Sequence, residues 1–353
     1  MTIHDSPADT PAALVRLWPS SAPTPLLDLP CLAARCGVAQ VLVKDEGPRL
    51  LGSFKTLGGM YAGLRALARA AGLPDIAALV AARRSSLPPL LCASAGNHGL
   101  AVAAAARLAG APARVYLHEG VPRERAQWIA EQGAEIVWIS GTYDDAVAEA
   151  KRAAAGGDGL LISDISERVD DPVVADVMAG YGLMAQEIAD QLQEQDSERP
   201  THLFVQAGVG GLAAAMAEGL RDHLAEPRRI VVVEPDQAPC VAAALAAGRV
   251  ERVNGDLDTS AEMLACGEAS APALRLLLRH GATALLVSEA ALRGAPAVMA
   301  EEGGPTTTES GAAGLAGLLT APPGSAHAGR LNLDAHSRIL LFATEAAADD
   351  RIR

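Results

Sequence analysis

One lysine of this chain stands where a reactive amine would be expected. Lys55 follows a polar, glycine-containing loop, residues 44–53, at the predicted start of a helix. The positive end of a helix dipole and burial both disfavour the ammonium form, so they lower the pKa of such an amine. Imine formation with a carbonyl compound requires that lowered pKa. A single lysine that opens a helix is also consistent with an ordinary solvated side chain.

A second candidate is a turn between a predicted strand and a helix, where Leu91–Gly99 reads Leu-Cys-Ala-Ser-Ala-Gly-Asn-His-Gly. The first N–H groups of a helix that begins near Asn97 have no acceptor within that helix, and a carboxylate is a natural ligand for them. The alternative is that Ser94 or Asn97 is an ordinary N-cap and that Gly96 is an ordinary turn residue.

A third candidate is the glycine-rich turn Gln206–Leu212, between an apolar strand and an alanine-rich helix. Glycines there allow the backbone to approach a phosphate closely and to direct consecutive N–H groups at it. The turn is too short for a dinucleotide fingerprint, and no Gly-Lys-Ser/Thr follows it. A mononucleotide-like phosphate therefore fits best, and the alternative is a turn required by close helix–strand packing.

The elements around these turns predict an α/β fold with mainly parallel sheets, because short β-branched or leucine-rich runs alternate with alanine-rich helical stretches. The predicted strands are Gln40–Lys44, Leu90–Ser94, Ala113–His118, Glu135–Ser140, Gly159–Asp164, Thr201–Ala207, Arg229–Glu234 and Arg338–Thr344. The predicted helices are Phe54–Ala71, Asn97–Ala109, Arg123–Gln132, Tyr143–Ala154, Val173–Gln193 and Leu212–Leu224.

The lysine, the Ser-Ala-Gly-Asn-His turn and the glycine-rich turn, in this order, resemble the fold-type II pyridoxal 5′-phosphate (PLP) enzymes of the tryptophan synthase β and threonine dehydratase group. Within that group the chain is similar to the diaminopropionate ammonia-lyases over about residues 18–346. The matching segments are Thr24–Leu26, Val43–Glu46, Phe54–Gly59, Tyr143–Val147, Gly180–Gly182, Gln206–Gly211, Val233–Asp236, Glu309–Ala312 and Leu341–Glu345.

The resemblance implies a role for each turn. Lys55 would hold PLP as a Schiff base and take the Cα proton of the substrate, and Asn97 would hydrogen-bond the 3′-oxygen of the cofactor. Thr344, or its neighbour Ala343, would contact the pyridine nitrogen. The phosphate would bind the backbone of Gly208, Val209, Gly210, Gly211 and Leu212. The substrate would bind at Ser94, Ala95, Gly96, Asn97 and His98.

Three residues of this site have an open role. Asp164 aligns with an aspartate that the lyases keep near the substrate and is predicted to be catalytic, with a helix N-cap as the alternative. For His98 we favour packing over acid catalysis. Ala95 stands where the lyases commonly have aspartate and the serine and threonine dehydratases a small residue, which argues against 2,3-diaminopropionate as the substrate and against activity on the D-isomer.

The resemblance implies two domains, a large PLP-binding domain of residues 1–81 and 166–353 and a small domain of residues 82–165. The implied reaction is α,β-elimination on a small amino acid such as 2,3-diaminopropionate, which gives a 2-oxo acid and ammonia. The alternatives are a serine/threonine dehydratase, a β-replacement synthase and, outside catalysis, a protein that binds PLP without turnover. A homodimer is also implied.

Composition excludes other classes of function. The net charge of −13 argues against nucleic acid as a partner, because binding of the phosphate backbone needs a basic surface. Met1–Pro23 lacks the apolar core of a signal peptide, and we expect a cytoplasmic protein that is not bound to a membrane.

The five cysteines form no CxxC pair, so we predict no metal site and reduced thiols, although Cys240 and Cys266 are candidates for a disulfide.

Overall fold

The computed structural model describes residues 10–18, 22–82 and 86–347. Residues 1–9 and 19–21 of Met1–Pro23, the segment for which no signal peptide is predicted, therefore lie outside the described residues. The strands are β1 (Leu26–Asp28), β2 (Gln40–Asp45), β3 (Leu90–Cys92), β4 (Ala113–His118), β5 (Glu135–Ile139), β6 (Leu160–Leu161), β7 (His202–Gln206), β8 (Arg229–Pro235), β9 (Thr283–Val287) and β10 (Arg338–Ala343). The helices are α1 (Pro11–Val15), α2 (Pro30–Cys36), α3 (Lys55–Ala70), α4 (Ile76–Ala82), α5 (Asn97–Ala109), α6 (Arg123–Glu131), α7 (Tyr143–Ala155), α8 (Pro172–Glu194), α9 (Gly211–Gly219), α10 (Cys240–Ala247), α11 (Ala271–Arg279), α12 (Glu289–Glu301), α13 (Ala313–Thr320) and α14 (Ala326–Leu331).

The six-stranded sheet has the order β1-β2-β10-β7-β8-β9. All its neighbouring strands are parallel except β1 and β2. Its strands are apolar and largely buried, as expected of a parallel sheet covered on both faces. Because β7 and β10 are parallel neighbours, the residues that follow Gln206 and Ala343 emerge at the same edge of the sheet.

The four-stranded sheet has the order β5-β4-β3-β6, and all its pairs are parallel. The register pairs Leu90 of β3 with Leu160 of β6. The turn after β3, which contains Ser94, and the segment after β6, which contains Asp164, therefore emerge at one edge.

The prediction of an α/β fold with mainly parallel sheets is confirmed. The chain divides into two units. The first consists of the described residues of 1–22 and of Lys55–Asp164, together with Asp171–Leu183, and contains the four-stranded sheet. The second consists of Pro23–Phe54, Ile165–Asp170 and the described residues from Met184 onward, and contains the six-stranded sheet.

This division differs from the predicted domain boundaries, which assigned the described residues of 1–22 and residues 55–81 and 171–183 to the large domain, and Ile165 to the small domain. Helix α3 belongs with the four-stranded sheet because it packs along α5. In the part of the chain that the structure describes, no helix combines the length and the apolar character needed to cross a membrane. Within the same residues, no cluster of three or more His, Cys, Asp or Glu side chains is arranged to hold a metal ion.

Candidate active site

Lys55 begins helix α3 and forms an ion pair with Asp164. Its Nζ donates a hydrogen bond to Oδ2 of Asp164 over 2.6 Å, and the two side chains are 23% and 22% exposed. No helix begins at Asp164, since α8 starts only at Pro172, so the alternative role of an N-cap does not apply. The structure brings together two residues that the sequence analysis selected for separate reasons.

The charge state of Asp164 follows from its surroundings. Burial raises the pKa of this carboxyl group, but the positive charge of Lys55 and the hydrogen bond from Nζ lower it by more, so the pKa lies well below its ordinary value. Asp164 is therefore ionised near neutral pH. It can stabilise an ammonium on Lys55 and accept a hydrogen bond, but it has no proton of its own to give.

His98 lies in the first turn of α5 and is 4% exposed. Its Nε2 lies 3.0 Å from the carbonyl oxygen of Ile162, and because a carbonyl only accepts, Nε2 carries the proton. Burial lowers the pKa of His98, so the ring is neutral. The contact links α5 to the segment that leads to Asp164, which fits the packing role that we favoured.

Tyr181 is a neighbour of Lys55 that the sequence analysis did not assign to the site. Its ring centroid lies 5.9 Å from Nζ of Lys55, and the side chain is 1% exposed on α8. The ring packs so closely on Gly58 of α3 that no side chain would fit at that position. Burial raises the pKa of Tyr181 to about 12, which keeps the phenol neutral.

Lys55 is one of three lysines in the chain, and the other two are unsuited to a reactive role. Lys44 is fully buried, and its Nζ contacts Thr24 O at 2.7 Å, Gln191 Oε1 at 2.9 Å and Glu187 Oε2 at 2.9 Å. Those three acceptors occupy all its donors. Lys151 is an exposed residue of α7. Of the three lysines, Lys55 alone is partly exposed and also lies beside buried side chains.

The turn predicted to bind substrate joins β3 to α5. Ser94, Ala95 and Gly96 are half-buried, and Asn97 and His98, which begin the helix, are buried. Oγ of Ser94 accepts a hydrogen bond from the N–H of Gly96 over 3.3 Å, which stabilises the turn. The turn belongs to the same unit as Lys55 and Asp164.

In the second unit, the glycine-rich turn between β7 and α9 has its acceptors occupied and its donors available. The carbonyl of Gly208 accepts from Cys240 Sγ (3.2 Å), that of Val209 from Ser270 N (2.9 Å) and that of Gly210 from Ala214 N (2.9 Å). Within the described residues, no acceptor is bound by the backbone N–H groups of Gly208, Val209, Gly210, Gly211 and Leu212. Gly210 has φ +93°, which favours glycine and turns the chain into α9. The turn therefore presents a row of N–H groups suited to an anion.

Thr344 follows β10 and is 4% exposed. Its Oγ1 accepts a hydrogen bond from Gln206 Nε2 over 3.3 Å, whereas its hydroxyl proton has no acceptor among the residues that the structure describes. A buried donor without an acceptor is uncommon, and it indicates a ligand acceptor at this position. Ala343, the neighbour that the resemblance left as the alternative, ends β10 with a methyl group and offers no such donor.

Two thiols contact the first glycine of the turn. Besides the Cys240 hydrogen bond, Sγ of Cys266 lies 3.0 Å from the position that a Cβ on Gly208 would take. All five cysteines lie in the described part of the chain and none is in a disulfide, so the bond between Cys240 and Cys266 that the sequence left open is not formed.

Glu234, at the end of β8, supports the helix that carries Cys240. Its carboxyl oxygens accept hydrogen bonds from the N–H groups of Val241 and Ala242, each with a donor–acceptor distance of 2.7 Å, and the side chain is fully buried. Burial raises the pKa of Glu234 to about 7, against the two hydrogen bonds, which lower it.

The sequence profile of the pyridoxal-phosphate dependent enzyme family matches residues 17–344. The chain belongs to this family. It is 35% identical to the diaminopropionate ammonia-lyase of Salmonella typhimurium, a match that covers 93% of this chain and 86% of that protein. The PLP dependence implied by the resemblance is thereby confirmed.

Solved structures agree with the sequence match. The holo form of diaminopropionate ammonia-lyase from Escherichia coli superimposes with a TM-score of 0.85 at 29% identity and covers 100% of this chain and 92% of its own. A structure of the same E. coli enzyme in complex with D-serine gives a TM-score of 0.84 over 98% of this chain and 92% of its own, at 29% identity.

The residues of this family member fit the three functional groups of pyridoxal phosphate. The N–H groups of Gly208–Leu212, which bind no acceptor within the described residues, suit a phosphate dianion. The hydroxyl proton of Thr344, which has no acceptor among the described residues, suits the lone pair of a pyridine nitrogen. The primary amine of Lys55 suits an aldehyde carbon.

Proposed function

We propose that this chain is a PLP-dependent ammonia-lyase that eliminates the β-substituent of a small amino acid, with 2,3-diaminopropionate as the leading substrate. The proposal is supported by the 35% identity with a diaminopropionate ammonia-lyase over most of both chains. Water and 2,3-diaminopropionate give pyruvate and two ammonia molecules, so the reaction needs no oxidant and no second organic substrate.

In this proposal Lys55 bonds the aldehyde of the cofactor, Gly208–Leu212 bind its phosphate, and Asn97 and Thr344 contact its 3′-oxygen and pyridine nitrogen. Bound PLP withdraws electrons from the Cα atom of the substrate and so makes its proton acidic. The substrate carboxylate is received by the turn of Ser94, Ala95, Gly96 and Asn97, with His98 behind it.

The chain itself must move one proton. Once the amino group of the substrate has replaced Lys55 on the cofactor, the freed neutral Nζ would take the Cα proton and become an ammonium. The ionised Asp164, 2.6 Å from Nζ in this structure, would stabilise that ammonium. The same ammonium then has a proton to give to the departing β-amino group. Asp164 thus keeps the base in place and supplies its counter-charge through both transfers, which is the catalytic role that we assign to it.

The observation that carries the proposal is the environment of Lys55. Lys44 is fully buried with all its donors bonded, and Lys151 is exposed on α7. Lys55 is partly exposed and forms an ion pair with the ionised Asp164. A protein that only bound PLP would have no need for a carboxylate held at this distance from the amine.

The test is release of 2-oxo acid and ammonia from the D- and L-isomers of 2,3-diaminopropionate, serine and threonine, with Lys55→Ala as the control. We expect two ammonia molecules per pyruvate from 2,3-diaminopropionate. Turnover of serine or threonine alone, with one ammonia per 2-oxo acid, would establish the dehydratase instead. Turnover that requires an added nucleophile would establish a β-replacement synthase, and PLP binding without turnover would contradict an enzymatic role.

We further propose a cytoplasmic homodimer. The cytoplasmic location is supported by the five cysteines, none of which is in a disulfide. The dimer is supported by the resemblance to the lyases, and sedimentation of the holoenzyme at micromolar concentration tests it. A single species with the mass of one chain would contradict it.

A further inference from the structure

Gln206, the last residue of β7, holds an unusual position for an amide. Its side chain is 2% exposed. Its Nε2 lies within hydrogen-bonding distance of four oxygens: Gly311 O (2.7 Å), Ser310 O (3.2 Å), Phe342 O (3.2 Å) and Thr344 Oγ1 (3.3 Å). Its two N–H groups are therefore shared among three backbone carbonyls and one hydroxyl.

The orientation of the amide follows from what surrounds its two ends. Oε1 of Gln206 is buried and has no hydrogen-bond partner within the described chain. A buried acceptor without a donor is destabilising. The reverse orientation would be worse, because Oε1 would then face three carbonyl oxygens, none of which can donate a hydrogen bond. The amide is held with Nε2 towards Thr344, at the expense of one unsatisfied oxygen.

We propose that Gln206 is a positioning residue that directs the hydroxyl proton of Thr344 towards the pyridine nitrogen of the cofactor. This inference rests on the role of Thr344 in the proposed function. A hydroxyl has one proton and two acceptor sites, so the N–H of Gln206 occupies an acceptor side of Oγ1 and leaves the proton for another partner.

Competition for that proton explains why the amide is needed. The carbonyl of Gly311 also lies 3.4 Å from the backbone N of Thr344. If Gln206 were replaced by an apolar residue, the carbonyls of Ser310, Gly311 and Phe342 would lose the hydrogen bond that Nε2 gives them. The hydroxyl of Thr344, which binds the same Nε2, is a donor that can replace it. Its proton would turn towards these carbonyls and away from the cofactor.

The experiment reads the ring nitrogen directly. Holoenzyme is reconstituted with PLP labelled with ¹⁵N in the ring, and the ¹⁵N chemical shift is compared for wild type, Gln206→Met, Thr344→Val and the double variant. We expect each single variant to move the signal towards that of a nitrogen without a hydrogen bond, and the double variant to move it no further. We also expect kcat to fall about tenfold in each single variant and no further in the double variant, as for one lost hydrogen bond.

Two further variants separate this role from a general loss of packing. Gln191→Met removes another amide of the same unit, one that donates to Thr24 O over 2.8 Å, and should leave the ¹⁵N signal unchanged. Gln206→Glu should restore the wild-type signal only at low pH, where its carboxyl group is protonated and can donate. A wild-type signal in Gln206→Met, or additive effects in the double variant, would overturn the proposal. The signal comes from resting holoenzyme, so it tests Gln206 even if the proposed substrate is wrong.

Discussion

Replacing Gly210 by alanine should damage the phosphate-binding turn by an amount that the structure allows us to work out. Gly210 has φ +93°, a left-handed conformation that costs an L-residue about 1–2 kcal/mol. The added Cβ would lie 3.3 Å from Cγ2 of Val241 and 3.4 Å from Cβ of Ala273, contacts that are tight but do not clash severely. Backbone strain is therefore the main cost. The turn either bears that strain or relaxes to negative φ, which disperses its N–H groups.

If the turn keeps its conformation, the strain lowers the free energy of unfolding. If the turn relaxes, the affinity for PLP falls. About 1–2 kcal/mol corresponds to a 5–30-fold rise in the Kd of PLP. Equilibrium unfolding in urea and fluorescence titration with PLP measure the two quantities. Gly182→Ala is the matched control, because a Cβ there meets no atom within 4 Å and the residue is helical. If Gly210→Ala and Gly182→Ala agree in both measurements, the turn has no special conformation to protect.

Three other perturbations follow from the site. Asp164→Asn keeps the shape of the side chain but removes the counter-charge of Lys55, and should lower kcat at least tenfold in steady-state assays; an unchanged kcat would remove Asp164 from the mechanism. Ala95→Asp should raise the rate with D-2,3-diaminopropionate relative to the L-isomer, and a wild-type D/L ratio would show that this position does not set stereochemistry. Because burial raises the pKa of Glu234 to about 7 from an ordinary 4.5, the folded protein binds this proton more tightly than the unfolded chain does. The free energy of unfolding should therefore fall by up to about 3 kcal/mol as the pH rises from 4.5 through 7, and Glu234→Gln should abolish this dependence in pH-resolved urea denaturation.

Local sequence signals predicted most of the elements. Helix α5 has the predicted bounds, Asn97–Ala109, because glycines stand on both sides of it and Gly110 takes the left-handed conformation that ends a helix. Strand β9, Thr283–Val287, was missed because a short alanine- and leucine-rich run does not distinguish a strand from a helix. Strand β1 has three residues, too few for any periodicity.

The site was predictable where a turn carries the chemistry and unpredictable where distant segments meet. Lys55 and the glycine-rich turn were identified from local context. The contacts of Gln206 are with residues more than 100 positions away, and nothing within its own strand indicates them. Tyr181 was visible only as part of a Gly-Tyr-Gly match. Its approach to Lys55 depends on the packing of α8 against Gly58 of α3.

The central claim is that Lys55 is the amine that bonds the cofactor. Reduction of the PLP-loaded protein with borohydride makes that bond permanent, and peptide mass spectrometry then locates it among the three lysines of the chain. We predict that the phosphopyridoxyl group is on Lys55 and that Lys55→Ala loses both this adduct and the visible absorption of lysine-bound PLP. An adduct on Lys44 or Lys151 in the wild-type protein would contradict the account.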